Sequence, residues 1–377
     1  MTHDVIVLGV GGMGSAAAYH LAKRGMRVLA LERFAIPHEM GSSHGFTRII
    51  RLAYFEHPSY VPLLRRAYEL WRELERERGE RLLHVTGSID AGLPGSRTFE
   101  GSRRSCEVHA LPHEILNSAE LSARFPGFSL PSELVAVLQQ DGGFLVPERC
   151  ILAHSTLAAL HGAEIRSEER VIGWETSGAG VRVTTMHGVH EAGQLVVAAG
   201  SWTKTMVPSL SRLLSPERQV LAWFDIADRD LFAPSRFPVF NLDLDDHHWY
   251  GFPEHGTPGF KIGCYHHLRE QADPDSLDRT DVNERDLSLL RGLVHRCFPA
   301  VHGNPLLAKV CLFTNTPDEH FILDRLPEAP AVVVASACSG HGFKFCSVVG
   351  EIIADLVERD STRHDITLHR LGRFAAG

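Results

Sequence analysis

Cysteine is sparse in this chain of 377 residues, with seven residues at 106, 150, 264, 297, 311, 338 and 346 and no CxxC spacing. An odd, unpatterned set argues against a disulfide framework or a zinc site. The histidine pairs at 247 and 248 and at 266 and 267 are adjacent rather than at helical ligand spacing, so no metal is expected. Long apolar runs are missing too; none approaches the ~18 residues that span a bilayer. The first residues lack the basic start and apolar core of a signal peptide. Positive charge is not in excess: the formal net charge is −8, which argues against a nucleic-acid or anionic-membrane surface. Internal repeats and low-complexity segments are also absent. With 44% apolar and 22% charged residues, the composition is that of an ordinary globular protein, and a reduced, cytoplasmic enzyme is expected.

What is present starts at Asp4. Val5 to Leu8 read as a short buried strand, followed by Gly9-Val10-Gly11-Gly12-Met13-Gly14, a helix-compatible run from Ser15 to Arg24, a stop at Gly25 and a second strand from Arg27 to Leu31 that ends on Glu32. Each part has a physical task. Gly9 permits a tight turn, Gly11 lets backbone approach a pyrophosphate, and Gly14 lets helix pack closely on strand. The helix N-terminus offers unpaired N–H groups and partial positive charge to phosphates. Glu32 lies about 20 residues on, where a carboxylate accepts ribose hydroxyls and disfavours a 2′-phosphate. A bound FAD or NAD, rather than NADP, follows.

The loop from Arg33 to Phe46 is too long for a mere connection, and long loops in compact domains are usually functional. Helices are expected over 59–80, around 119–125, over 151–162, around 283–297 and over 343–358. Strands are expected over 163–166, 181–184, 194–199 and 331–335. Residues 85–144 read as an insertion into a different sheet. Three apolar strands end in small residues, at Gly9, at Ala199-Gly200 and at Ser339-Gly340. Ligands bind beyond such carboxyl ends in an open α/β sheet, and a cofactor reaching all three must be long. Reduced flavin carries negative charge that the final helix N-terminus would stabilise, which favours FAD over NAD.

Six separated motifs then coincide: GVGGMG, GSSHGFTRIIR (41–51), WYGFP (249–253), GFKIG (259–263), CLFTNTPDEHFILD (311–324) and SGHGFKF (339–345). In this order they resemble the monomeric sarcosine oxidase and N-methyltryptophan oxidase family of FAD-dependent amine oxidases, over most of the chain. The resemblance implies an α/β fold. A glutathione-reductase-like, Rossmann-type FAD-binding domain (1–84, 145–214 and 317–377) is interleaved with an α+β substrate domain on a mixed or antiparallel sheet (85–144 and 215–316).

The resemblance also assigns residues. Cys311 matches the cysteine that forms a thioether to the flavin, so a covalent FAD is expected. Arg48 matches the arginine lying against the flavin ring, and Lys261 the lysine implicated in oxygen activation. Arg51 and Lys344 match the pair that binds the substrate carboxylate, one as a bidentate fork and the other as a point charge. Tyr250 and His266 match residues of the substrate pocket, with His267 the register alternative. Besides Gly9, Gly11, Gly14 and Glu32, cofactor contacts are expected at Gly12, Met13, Arg33, His44 and Thr47. Further along, they are expected at Val171, Ala199, Gly200, Trp202, Gly340, Gly342, Phe343 and Lys344.

The sequence departs from the family's pattern where substrate specificity resides. Phe313 stands in place of a tyrosine two residues after the linking cysteine, Ser43 replaces a histidine, Phe46 replaces a polar residue, and Asn241 occupies an apolar pocket position. The implied reaction is oxidation of a secondary amino acid, N-methyl or cyclic, by dioxygen. It gives an imine and hydrogen peroxide, and formaldehyde plus the primary amino acid from N-methyl substrates. The alternative is a noncovalent flavin dehydrogenase or oxidase of the glycine oxidase group. The later strand ends disfavour a nicotinamide dehydrogenase, and a non-catalytic binding protein would hold flavin without being reduced by amines.

Overall fold

The computed structural model describes residues 3–336 and 339–374. His3–Leu8 is the centre of an eight-stranded sheet, parallel to Val28–Leu31 on one side and Val189–Val197 on the other. Glu164–Arg166 extends it beyond Val28–Leu31, and Ala329–Ser336 pairs in parallel with the end of Val189–Val197. Antiparallel strands Val171–Ser177, Gly180–Thr185 and Ile322–Leu326 complete the sheet. Both faces are covered from Val5 to Leu8, which is why that part of the first strand is apolar. Val5 and Val7 pack into one buried cluster and Ile6 and Leu8 into another. Each such side chain contributes about 1.5–3 kcal/mol by leaving water.

On the first face lie helices Gly12–Lys23, Pro147–Leu160 and Cys346–Arg359, with Tyr60–Arg78 packed outside. Two of them cross in near-backbone contact: a Cβ at Gly350 would lie 2.6 Å from the Ala16 carbonyl carbon. Tyr60–Arg78 ends at Gly79, whose left-handed φ of 67° lets its N–H return to the Glu75 carbonyl.

A second eight-stranded sheet runs Val301–Asn315, Ser215–Ile226, Phe260–Cys264, His247–Phe252, Val239–Leu244, Ser88–Gly92, Val135–Gln139, Glu114–Asn117. Its only parallel pair joins Val239–Leu244 to Ser88–Gly92. Phe128, Phe237, Phe240, Phe260 and Phe298 fill the space between this sheet and helix Glu284–Cys297. That helix is started by a reciprocal cap between Asn283 and Asp286. A third sheet of three short strands, Arg48–Ile50, Gly143–Leu145 and Leu83–Val85, carries the start of the Arg48–Arg51 segment.

The fold is thus the α/β architecture expected, with local differences. The last helix begins at Cys346, after a tighter 3-10 turn over Phe343–Phe345, rather than at Phe343. The strand expected over 194–199 starts at Val189 and stops at Val197, because Ala199 already leads into the turn Gly200–Trp202. Nothing in the alternation of apolar residues announced the three-stranded sheet, whose strands are only three residues each. Among the described residues, no helix is long and apolar enough to cross a membrane.

Candidate active site

The glycine turn is built as a cradle. Gly9 holds φ +91°, and a Cβ on Gly14 would lie 1.7 Å from the Gly9 carbonyl oxygen, so strand and helix meet backbone to backbone. At Gly11 a Cβ would meet no protein atom within 4 Å; the space beyond it belongs to a long cleft that Gly11 lines. No side chain caps helix Gly12–Lys23 and its first turn holds no acidic residue, so its N–H groups face that cleft uncompensated. These are the features a pyrophosphate requires, and the residues fit a dinucleotide. Glu32 is buried at the end of the second strand. One carboxylate oxygen accepts from the Val10 N–H at 2.8 Å and the other from the Phe34 N–H at 3.1 Å, so it also braces the turn.

The same cleft runs past Gly12, Met13, Val171, Ala199, Gly200, Gly340, Gly342 and Phe343, bringing the three strand ends together. At its rim Arg33 pairs with Asp275 at 2.5 Å and lies over the Trp202 ring, while the Trp202 indole N–H donates to Asp275 at 2.7 Å. Asp275 was not singled out from sequence, because a lone aspartate in a polar stretch carries no local signal.

At the cleft's far end a second, smaller cavity begins, sharing Arg48, Phe313, Gly340 and Phe343 with it. Into this cavity the fold brings Arg51, Asn241, Tyr250, Cys311 and Lys344, together with Glu56, Tyr265 and His341. Arg48 donates to the carbonyls of Thr47 and Ser42 at 2.9 Å each, and its Nη2 lies 3.6 Å from Cys311 Sγ. Cys311 is a free, buried thiol in strand Val301–Asn315.

Arg51 is 2% exposed, and both of its terminal nitrogens are hydrogen-bonded. It forms a fork with both Glu56 oxygens at 3.0 and 2.9 Å, donates to the Ala53 carbonyl at 2.8 Å, and is flanked by the Tyr54 and Phe55 rings at 4.5 and 4.4 Å. Burial alone would raise the Glu56 pKa, but Arg51, His341 and Lys344 outweigh it and hold the carboxyl down to about 2. Lys344 donates to the His341 carbonyl at 2.9 Å; burial and then Arg51 push its pKa down to about 7. The Trp71 indole fixes the Lys344 backbone, donating to its carbonyl at 2.9 Å.

Tyr250 stands opposite Asn241 in the paired strands, and a Cβ at its other neighbour Gly263 would lie 2.4 Å from the Tyr250 hydroxyl. Tyr265 donates to the Ser339 carbonyl and packs on Phe313, with ring centroids 4.9 Å apart. Gly340 holds φ +74° beneath both rings, and a Cβ there would lie 2.4 Å from the Tyr265 hydroxyl.

Besides Gly14, which packs against the Gly9 backbone, four expected residues lie outside both cavities' walls. Lys261 is buried, its Nζ donating to the carbonyls of Gly45 and Thr47 at 2.6 and 2.7 Å and to the Thr47 hydroxyl at 2.9 Å. Burial and Arg48 push its pKa well below that of an exposed lysine. Thr47 thus serves as an anchor for Lys261. His44 is sealed in the same loop with both ring nitrogens unpartnered, and burial keeps it neutral. His266 has both nitrogens taken, by Glu217 at 2.9 Å and Glu319 at 3.0 Å, in a neighbouring cavity; those hydrogen bonds raise its pKa to about 9. The register alternative, His267, is buried against Asp286 at 2.8 Å. Left-handed φ values at His266 and His267 turn the chain after Cys264, so Tyr265 rather than either histidine faces the smaller cavity. Glu56 could have been noticed as a carboxylate five residues beyond Arg51; Tyr265 had no comparable signal.

Against known proteins, residues 4–356 match the family model described as FAD dependent oxidoreductase. Monomeric sarcosine oxidase of Streptomyces avermitilis is 42% identical over 380 residues, covering 100% of this chain and 98% of that protein. N-methyl-L-tryptophan oxidase of Yersinia pestis is 35% identical, covering 99% and 100%. Among solved structures, the open form of NikD, an unusual amino acid oxidase essential for nikkomycin biosynthesis, is similar with a TM-score of 0.83 and 29% identity, covering 97% and 96%.

Proposed function

The chain belongs to the family of FAD-dependent oxidoreductases, and we propose that it is an oxidase of secondary amino acids, N-methyl or cyclic, that reduces dioxygen to hydrogen peroxide. One observation carries the reading: two buried cations, Arg51 and Lys344, line a cavity that shares four residues with the dinucleotide cleft. A cation pair there recognises a carboxylate beside the cofactor, which selects an amino acid over a plain amine.

The glycine turn, Glu32 and the helix N-terminus would hold the FAD's ADP half. The flavin, when bound, supplies an acceptor for the electron pair from the carbon next to nitrogen. The chain's own residues do the rest. Arg51 must release the Glu56 fork to grip the incoming carboxylate, and Glu56 then remains as a buried anion beside Lys344 and His341. Tyr250, Tyr265 and Phe313 wall the cavity and exclude water. Arg48 and Lys344 are positive neighbours that lower the pKa of the substrate amine, which must be neutral to react. Lys261 clasps the 45–47 loop, and its protonated form, which burial and Arg48 disfavour, carries a charge of the kind that favours electron transfer to dioxygen.

We assign Cys311 as the point of covalent flavin attachment, supported by its free, buried thiol in the wall of the smaller cavity, 3.6 Å from Arg48, which lines both cavity and cleft. The two sheets support a division into an FAD-binding unit (1–84, 145–214 and 317–377) and a substrate unit (85–144 and 215–316). The test is product analysis under air. Purified yellow protein given sarcosine, N-methyltryptophan, pipecolate or proline should release peroxide, with equimolar formaldehyde from the N-methyl substrates; colourless protein or no peroxide with any of them overturns the reading. On a denaturing gel flavin fluorescence should travel with the chain and vanish in Cys311→Ala, and fluorescence retained in that variant overturns the linkage. In that case the noncovalent glycine oxidase type stands.

A further inference from the structure

Asp90 is fully buried in strand Ser88–Gly92, and the reaction proposed above gives it no task. The parallel strand pair aligns it with Asn241, which in turn faces Tyr250 across the next pair. Asn241 Nδ2 donates to Asp90 Oδ1 at 2.8 Å, and the same oxygen lies 3.6 Å from the Arg51 Nε. The other carboxylate oxygen is buried, and the Ser102 hydroxyl helps to hold the Asp90 charge. An ionised carboxylate can only accept, so above its pKa Asp90 commits the Asn241 amide to turn its NH2 group toward it and its oxygen away. Among the described residues nothing donates to that oxygen, and Asn241 lines the smaller cavity together with Arg51, Lys344 and Tyr250.

This arrangement is costly. Burial pushes the Asp90 pKa up to about 6, against the opposing pull of Arg51 and Asn241. The ion pair with the buried Arg51 accounts for a carboxylate at 90. It does not account for a polar residue at 241, where an apolar side chain would fill the strand register without an amide to satisfy, whereas recognition does.

We propose that Asp90 is a positioning residue that fixes the Asn241 amide with its oxygen presented to the substrate, so that the site selects secondary amino acids whose side chain carries a hydrogen-bond donor, such as a hydroxyl. The inference rests on the oxidase reading and names the substrate class within it. With Arg51 and Lys344 fixing the carboxylate, the side-chain donor meets Asn241. An analogue that puts a methyl group there leaves the acceptor unpaired in a closed cavity, which is how enzymes reject molecules of the same size.

The experiment compares N-methylserine with N-methyl-2-aminobutyrate, which differ only by hydroxyl against methyl, in holoenzyme and in N241L and D90N variants whose melting temperatures are recorded alongside. In the native enzyme kcat/KM should favour N-methylserine by about tenfold, the effect of one neutral hydrogen bond. N241L should invert the ratio. D90N, which allows the Asn241 amide to turn over, should shrink the ratio several-fold, a change in selectivity that a purely structural role would not produce. A native ratio near one, or a D90N ratio equal to the native one, overturns the inference and leaves the oxidase reading standing. Failure of both compounds and of sarcosine to reduce the flavin overturns the oxidase reading and the inference with it.

Discussion

At the residue scale the decisive groups are the three charges Arg51, Glu56 and Lys344. Arg51 is neutralised by Glu56 in this structure, while Lys344 has lost stabilisation to burial and to Arg51, so its pKa of about 7 lies below the usual lysine range. A bound carboxylate favours the ammonium form. Lys344 is charged below about pH 7 and progressively neutral above it, so binding of a simple carboxylate such as propionate should be tightest below that pH. It should then weaken by up to about tenfold per pH unit above it. Titrating flavin absorbance with propionate from pH 6 to 9 checks this; Lys344→Met should remove the slope, and a flat native profile contradicts the role. Motif order made Arg48, Arg51, Tyr250, Cys311 and Lys344 legible, and the fold brings them to one cavity. Asp90 and Tyr265 were not legible, because strand register and a left-handed turn, not local pattern, decide which side chains reach it, whereas Glu56 was marked only by its place five residues beyond Arg51.

At the scale of elements the glycine turn does two separable things. Gly14 permits packing, since a Cβ there would strike the Gly9 carbonyl, whereas Gly11 permits access, since a Cβ there would stand in the open cleft. Gly14→Ala should therefore cost about 1–3 kcal/mol of stability by overpacking, and flavin as well. Gly11→Ala should fold with the apoprotein's native melting temperature yet lose most of its flavin. The ratio of flavin to protein absorbance, read beside a thermal melt, checks both; full flavin in Gly11→Ala contradicts the cradle. This element was readable in the sequence because strand, turn, helix and terminal acid follow within thirty residues of chain. The 41–47 loop was readable as a long functional loop and, through the motif it opens, as the place of His44 and Thr47. Its clasp by Lys261 comes from a strand more than two hundred positions later, a contact no local period encodes.

At the scale of the whole molecule, one sheet ends at the dinucleotide cleft and the other supplies one wall of the smaller cavity through Leu221, Asn241, Tyr250, Phe252, Cys311 and Phe313, with the Arg48–Ile50 strand entering from the third. Alternating strand and helix signals made the first sheet legible in outline; the second depends on long-range antiparallel pairing, so its order emerged only in three dimensions. If the cation-lined cavity delivers an amino acid, through its carboxylate, to a bound flavin, the carboxylate must decide whether the flavin is reduced. Anaerobic bleaching of the flavin absorbance by sarcosine, set beside dimethylamine, which keeps the secondary amine and lacks the carboxylate, measures this. Sarcosine should bleach the flavin and dimethylamine should not; equal bleaching by both, or none by sarcosine or any other secondary amino acid, contradicts delivery through the carboxylate.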